Sequence, residues 1–316
     1  MERETREKLQ ALEELLDSWK SIAVGYSGGV DSTFLAAVCA RAVPSRAVLM
    51  HIETPFSATP ELVSVERAAG SGQSAFGLPL ISVPLDPFSL ENVVRNDENR
   101  CYYCKRAGFS AILAEAQARG IEVVVDGSNA DDAGDYRPGM RALEELGVRS
   151  PLLETGWHKD EERALLREWG IPVWDMPAGA CLATRIPCGE PLTDRKLAAV
   201  RACEDYLHEL GLHQVRARLI EGSLQVEASS EDLRVLASVG APADASGGAS
   251  VPHEKGAWHG ESAPHEKGAW HGESAPSEEG ASRVALPEEM RAHLAGCVDG
   301  EVNPYVVLYS KGSMNR

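Results

Sequence analysis

The sequence predicts an α/β protein, a parallel sheet with helices on both faces, followed by a smaller α+β unit. Three observations carry this. Short apolar, β-branched runs alternate with helical patterns through the first two thirds of the chain, as strands buried on both faces require. The first run passes through Ser27-Gly28-Gly29-Val30-Asp31-Ser32 directly into a helical pattern. That order places backbone N–H groups at a helix N-terminus, a cradle for an anionic phosphate. After Pro191 the alternation gives way to one long helix and shorter alternating strands.

Taken in order, Met1 to Lys8 are mostly polar or charged, and Leu9, Leu12, Leu15, Leu16 and Trp19 then make an amphipathic run unlike a signal peptide. Residues 22–26, 47–52, 80–85 and 122–126 read as strands. Residues 35–42, 60–69 and 102–119 read as the helices between them, the second with Thr59 as N-cap and Pro60 in its first turn. A ligand is expected at the carboxyl ends of the strands, where the loops at 27–32, 53–55 and 127–129 converge. Thr193 caps a helix over 194–210. Residues 214–220 and 224–228 alternate, a helix lies near 230–237, and a last strand near 305–309.

A boundary near 188–193 divides a domain of residues 1–190 from a small α+β domain of 191–239 plus 284–316, expected to serve substrate binding or oligomerisation. Between the parts of the second lies an insertion, 240–283, in which residues 252–263 recur without change as 264–275. Two Gly-, Ser- and Glu-rich copies are too few for a stacking solenoid. The insertion reads as a disordered linker without a catalytic role; metal storage by its histidines is the alternative.

The 316 residues are 43% hydrophobic and 25% charged, an ordinary soluble composition. No apolar stretch approaches the ~20 residues of a membrane span. A cytoplasmic enzyme is expected, with no membrane partner. A net charge of −17 disfavours nucleic acid, whose phosphates require a basic surface. Seven cysteines, an odd number without an export signal, point to metal binding or catalysis rather than disulfides.

Four constellations carry chemistry. Cys101 and Cys104 are spaced C-x-x-C between Arg100 and Lys105; nearby cations favour thiolates. One such pair does not complete a four-thiolate site, and Cys181 is the candidate third ligand. The run Asp126-Gly127-Ser128-Asn129-Ala130-Asp131-Asp132, continued by Asp135, offers carboxylates for Mg²⁺, or is a solvated turn. The small-residue loop around Cys181 and Arg185 suits a reactive thiol, the arginine also being a phosphate contact. Arg216 and Arg218 alternate on a strand and share one face, as for a phosphate or carboxylate pocket.

The SGGVDS loop resembles the pyrophosphate loop (PP-loop) of ATP pyrophosphatases. Together with NRCYYCK, DGSNADDAGDYRPG, SPLLE, PAGACLATRIPCG and VRARL, it resembles the LarE family, ATP-dependent sulfur transferases of nickel-pincer cofactor biosynthesis. The resemblance spans about residues 21–220. It implies a PP-loop ATP pyrophosphatase domain, with Ser27, Gly28, Gly29, Asp31 and Ser32 on the phosphates of ATP. It further implies Arg185, Arg216 and Arg218 as substrate- or AMP-phosphate contacts and Glu204 as a metal contact. The implied substrate is pyridinium-3,5-biscarboxylic acid mononucleotide, the implied cofactors are ATP and Mg²⁺, and the product passes to a nickel-insertion enzyme; a homo-oligomer is implied. In one branch of the family a cysteine surrenders its own sulfur. In the other, three cysteines hold a [4Fe-4S] cluster that carries sulfide, and Cys101, Cys104 and Cys181 make that set. Cys181 is the catalytic sulfur residue on either route, and Cys188, where relatives carry an aromatic, is an alternative ligand. A PP-loop tRNA thiolase, an ammonia-using adenylating synthetase and a non-catalytic metal or cluster carrier are the competing readings.

Overall fold

The computed structural model describes residues 3–69, 76–132, 138–177, 179–239, 283–298 and 300–309. The repeat-bearing insertion and Asp135 lie outside these. Helix α1 (Arg3–Asp17) buries Leu9, Leu12 and Leu16, the i, i+3, i+7 stripe of a helix laid on a core. Strand β1 (Ile22–Gly25) pairs in parallel with β2 (Ala47–Glu53) and β4 (Val123–Val125), and β2 with β3 (Leu80–Pro84), giving the order β3-β2-β1-β4. The chain therefore runs outward from β1 through β2 to β3, then returns to the other side of β1. Between β1 and β4 the winding reverses, opening the crevice in which parallel sheets bind ligands.

Helix α2 (Val30–Ala42) is buried along most of its length, from Val30 to Cys39, against α1, β1 and α8 (Lys159–Glu168). Phe34 meets Trp157 and Trp169 at ring-centroid distances of 4.7 and 5.6 Å, and this aromatic cluster fixes the base of the phosphate loop. Helix α3 spans Thr59–Ala69. Its first turn closes from Leu62 N–H to the Ala58 carbonyl, so the cap falls on Ala58, one residue before the expected Thr59. The Thr59 and Pro60 positions are instead the first two of the helix, where proline's missing N–H costs nothing.

The second sheet has the order β5-β6-β8-β7, built from β5 (Val215–Ile220), β6 (Ser223–Ala228), β7 (Arg283–Ala285) and β8 (Val302–Leu308). Helix α9 (Asp194–Glu209) packs on it, and the Thr193 hydroxyl accepts from Lys196 N–H at its start, the cap read from the sequence. Short strand β7 and helix α11 (Glu288–Cys297) were not expected. The core of this sheet draws in Phe56, Ala58, Val93, Leu182, Ala183 and Ile186 from the earlier part of the chain. Among the described residues, no helix is long and apolar enough to cross a membrane.

Candidate active site

The phosphate loop closes on itself. Ser27 Oγ lies 3.1 Å from Ser32 Oγ, which donates to the Gly29 carbonyl at 3.2 Å. Gly29 is the N-cap of α2, so Val30, Asp31 and Ser32 form its first turn, with N–H groups free of intrahelical partners. Gly28 has φ +81°, and a Cβ there would stand 2.6 Å from the Glu61 carbonyl oxygen; only glycine fits. Gly127, on the loop after β4, is required for a different reason. A Cβ there would sit 2.9 Å from Ser32 N and 3.2 Å from the Asp31 carbonyl carbon. Two of the three loops expected to converge, 27–32 and 127–129, thus meet backbone to backbone. Gly127→Ala is expected to push the phosphate loop out of register and weaken ATP at least about tenfold, or ~1.4 kcal/mol. Isothermal titration with ATP checks this, and unchanged affinity would show that the contact does not shape the cradle.

Two carboxylates of the run after β4, Asp126 and Asp131, are engaged by the scaffold. Asp126 is buried and accepts from Ser128 Oγ and Ser150 Oγ, both at 2.6 Å, and from Lys105 Nζ at 3.2 Å. Asp131 accepts from Lys159 N–H, and its Oδ1 is 2.6 Å from His158 Nδ1. These contacts, led by the His158 hydrogen bond, lower the Asp131 pKa. In the phosphate loop, Asp31 is held by Lys159 Nζ at 3.0 Å and Asn129 Nδ2 at 3.3 Å.

The cysteines separate into groups. All seven are free. Cys39 is a core thiol whose pKa burial raises to about 12, and Cys203 is fully buried. Cys188 is exposed in the turn that follows Pro187. Cys101, Cys104 and Cys181 share one electrostatic neighbourhood with Arg100. Burial, then the proximity of Cys181 and Cys101, pushes Cys104 up to about 12, and Arg100 opposes them. Burial likewise raises Cys181 against the pull of Arg100 and Arg185. Arg100 stays charged: burial alone would lower its pKa, yet the three sulfurs raise it.

The two thiol-bearing segments are tied by a residue the sequence did not single out. Asn96, fully buried and at φ 57°, donates to the Pro187 and Glu190 carbonyls at 2.7 and 2.9 Å and accepts from Arg100. Arg100 in turn donates to the Ala183 carbonyl at 3.0 Å. The C-x-x-C helix α5 (Arg100–Ala118) and the Cys181 loop are thereby locked together.

Arg185 and Glu204, both named from the sequence, prove to be partners. Arg185 Nε and Nη2 reach the two Glu204 oxygens at 2.7 and 2.8 Å, and Glu204 Oε1 also accepts from Ala217 N–H at 2.9 Å. Arg185 Nη1 donates to the Ala180 carbonyl at 2.8 Å, clamping the Cys181 loop. Glu204 is therefore buried, with both oxygens engaged, rather than presented on an exposed helix face. Arg218 pairs with Glu227 at 2.8 Å and donates to the Thr184 carbonyl at 2.9 Å. Arg216 lies over the Tyr309 ring, 5.5 Å from its centroid, and burial, then Arg185, lowers its pKa. Arg216 and Arg218 are both buried on β5. Glu61, which the sequence reading passed over, links the two halves. Its carbonyl abuts Gly28, its carboxylate abuts Gly179, and it feels the charges of Arg185 and Arg216.

A phosphate cradle at the switch point of a parallel sheet, facing a loop of thiols and arginines, defines an ATP-dependent enzyme of the PP-loop class. No family model matches the chain. It is 37% identical to an uncharacterised protein of Synechocystis sp. over 227 residues, 72% of this chain and 83% of that one. It is 32% identical to the pyridinium-3,5-bisthiocarboxylic acid mononucleotide synthase of Lactiplantibacillus plantarum over 214 residues, 67% of this chain and 76% of that one. A tRNA(Ile)-lysidine synthase of Polaromonas naphthalenivorans is 29% identical over 158 residues, 47% and 46% of the two chains. The chain belongs to the LarE family, that of the bisthiocarboxylate mononucleotide synthase.

Proposed function

We propose that this protein adenylates pyridinium-3,5-biscarboxylic acid mononucleotide with ATP and exchanges the activated carboxylate oxygen for sulfur. Cys101, Cys104 and Cys181 would hold the sulfur-bearing group. The observation that carries this reading is the gathering of those three thiols around Arg100, on segments clamped by Asn96 and Arg185. The substrate carboxylate attacks the α-phosphorus of ATP and pyrophosphate leaves into the cradle of α2, where N–H dipoles stabilise its charge. Mg²⁺ arrives with the phosphate oxygens, its preferred ligands. Sulfur then attacks the acyl carbon and AMP leaves. Arg185, Arg216 and Arg218 supply the positive field for the phosphate of the mononucleotide or AMP.

Among the described residues, no three His, Cys, Asp or Glu side chains converge on one point as a single ion requires. A [4Fe-4S] cluster on these three cysteines would keep one iron without a protein thiolate, able to carry sulfide. Small-molecule hand-off to a nickel-inserting enzyme and self-association of the chain belong to the same proposal.

Mass spectrometry of anaerobically purified protein, before and after turnover with ATP, Mg²⁺ and the biscarboxylate, tests it. Thiolated product with Cys181 unchanged is expected. Dehydroalanine at position 181 would instead mean that Cys181 forms a thioester with the acyl carbon and that loss of its Cα proton breaks its Cβ–S bond. That result would overturn the cluster source. Neither AMP nor product would overturn the reading as a whole.

A further inference from the structure

Glu162, on α8, is fully buried, lies 131 positions along the chain from Asp31, and belongs to none of the motifs above. Its Oε1 accepts from Asn129 Nδ2 at 3.0 Å, and the same nitrogen reaches Asp31 Oδ1 at 3.3 Å. Its Oε2 is buried and has no donor facing it. The Asn129 nitrogen shared by the two carboxylates sets Asp31, an acceptor, beside Glu162, and a hydrogen bond between the two acids raises the Glu162 pKa. An ionised carboxylate with one buried oxygen unpartnered, beside a second carboxylate, incurs both desolvation and like-charge repulsion. A protonated one removes both costs, because its O–H has an acceptor waiting.

We propose that Glu162 is a positioning residue for the phosphate loop: as a neutral acid it donates from Oε2 to Asp31 while Oε1 accepts from Asn129. Asp31 is then gripped from three sides, by Glu162 and Lys159 of α8 and by Asn129 of the loop after β4. The first turn of α2, whose N–H groups meet the phosphates, is thereby fixed against the rest of the sheet. The inference rests on residues 27–32 binding ATP. The protonation state agrees with the surroundings: burial first, then the hydrogen bond to and charge of Asp31, raise Glu162 to about 10, against the pull of Asn129 and Lys159. Asp31 and Lys159 are the charged groups acting on it.

The sign of the pH effect follows. An acid with an ordinary pKa of 4.5 in the unfolded chain and about 10 in the fold must take up a proton on folding at any pH between the two. Its stabilising share is full below 4.5 and shrinks as pH rises toward 10. Glutamine reproduces the bonding pattern, its oxygen accepting from Asn129 and its amide donating to Asp31, with no proton to take up.

The test uses the full chain and ATP with Mg²⁺ as the probe, with binding by titration calorimetry and melting by circular dichroism. Glu162→Met, of similar volume but unable to donate, is expected to weaken ATP binding about tenfold or more, while Glu162→Gln stays within about threefold of wild type. The melting temperature of Glu162→Gln is expected to gain on wild type as pH is raised from about 5 to 9. Asp31→Asn reports on the loop itself. Wild-type affinity in Asp31→Asn would overturn the phosphate-loop reading and this inference with it. Weak binding by Asp31→Asn with wild-type affinity in Glu162→Met would overturn the inference alone. Should the methionine variant fail to fold, a melting gap between Glu162→Gln and wild type that does not widen with pH would overturn it, because Glu162 would then be ionised in the fold.

Discussion

Arg185→Met is expected to destabilise the protein by about 3–5 kcal/mol. The arginine is almost entirely buried, 1% exposed, and both of its outer contacts to Glu204 are short and parallel. Removing it leaves Glu204 charged and buried, with the Ala217 N–H bond and the more distant charge of Arg216 to offset it. The cost is that of the stranded carboxylate rather than of the lost attraction, and this separates the explanation from a simple loss of packing. Arg185→Met/Glu204→Met, which removes both charges, is accordingly expected to recover much of the loss, since buried pairs replaced by apolar residues are often near neutral. Urea denaturation of the three variants gives the cycle. A double variant as unstable as the single one would mean that the site depends on the guanidinium's grip on the Ala180 carbonyl rather than on charge balance. The Cys181 loop is expected to loosen with the single variant, so sulfur transfer falls further than stability alone requires.

Cys181→Ser is expected to abolish thiocarboxylate formation, by ~10³-fold or more, while leaving ATP-dependent release of pyrophosphate and AMP measurable. Serine preserves the shape of the loop and supplies neither a sulfur atom nor a soft metal ligand. The phosphate loop is built from Ser27–Ser32, Gly127 and Asp31's partners, none of which depends on the thiol. A coupled pyrophosphate assay run beside product analysis separates the two half-reactions. Loss of both together would mean that the thiol loop also shapes the nucleotide site, through the contact between Gly179 and Glu61.

The phosphate loop's place between β1 and α2, the four parallel strands and the Thr193 cap could be read from sequence because each is local or follows a known pattern. What escaped was carried by single polar residues whose partners lie far along the chain. Asn96 reaches carbonyls 91 and 94 positions away, and Glu162 reaches Asn129 across 33. Nothing in the neighbourhood of either marks it, and only burial without an adjacent partner gives them away. Glu204 was named from the sequence, but its partners were not: they become visible only once the strand beside it is known to carry Ala217 N–H and the loop below it Arg185. Strand β7 and helix α11 are short and follow the repeat-bearing insertion, so they had no preceding rhythm to extend.

Tyr26 and Val30, which flank the phosphate loop, are set in the core of the parallel sheet, whereas Leu182, Ala183 and Ile186, which follow Cys181, are set in the core of the second sheet. The phosphate loop and the thiol loop therefore stand on separate foundations, joined through Glu61, through the Asn96–Arg100 clasp and through Phe56 and Ala58, which pack into the second core. Under the proposed function, a change confined to the foundation of the thiol loop would alter the source of the sulfur and leave the activating loop standing.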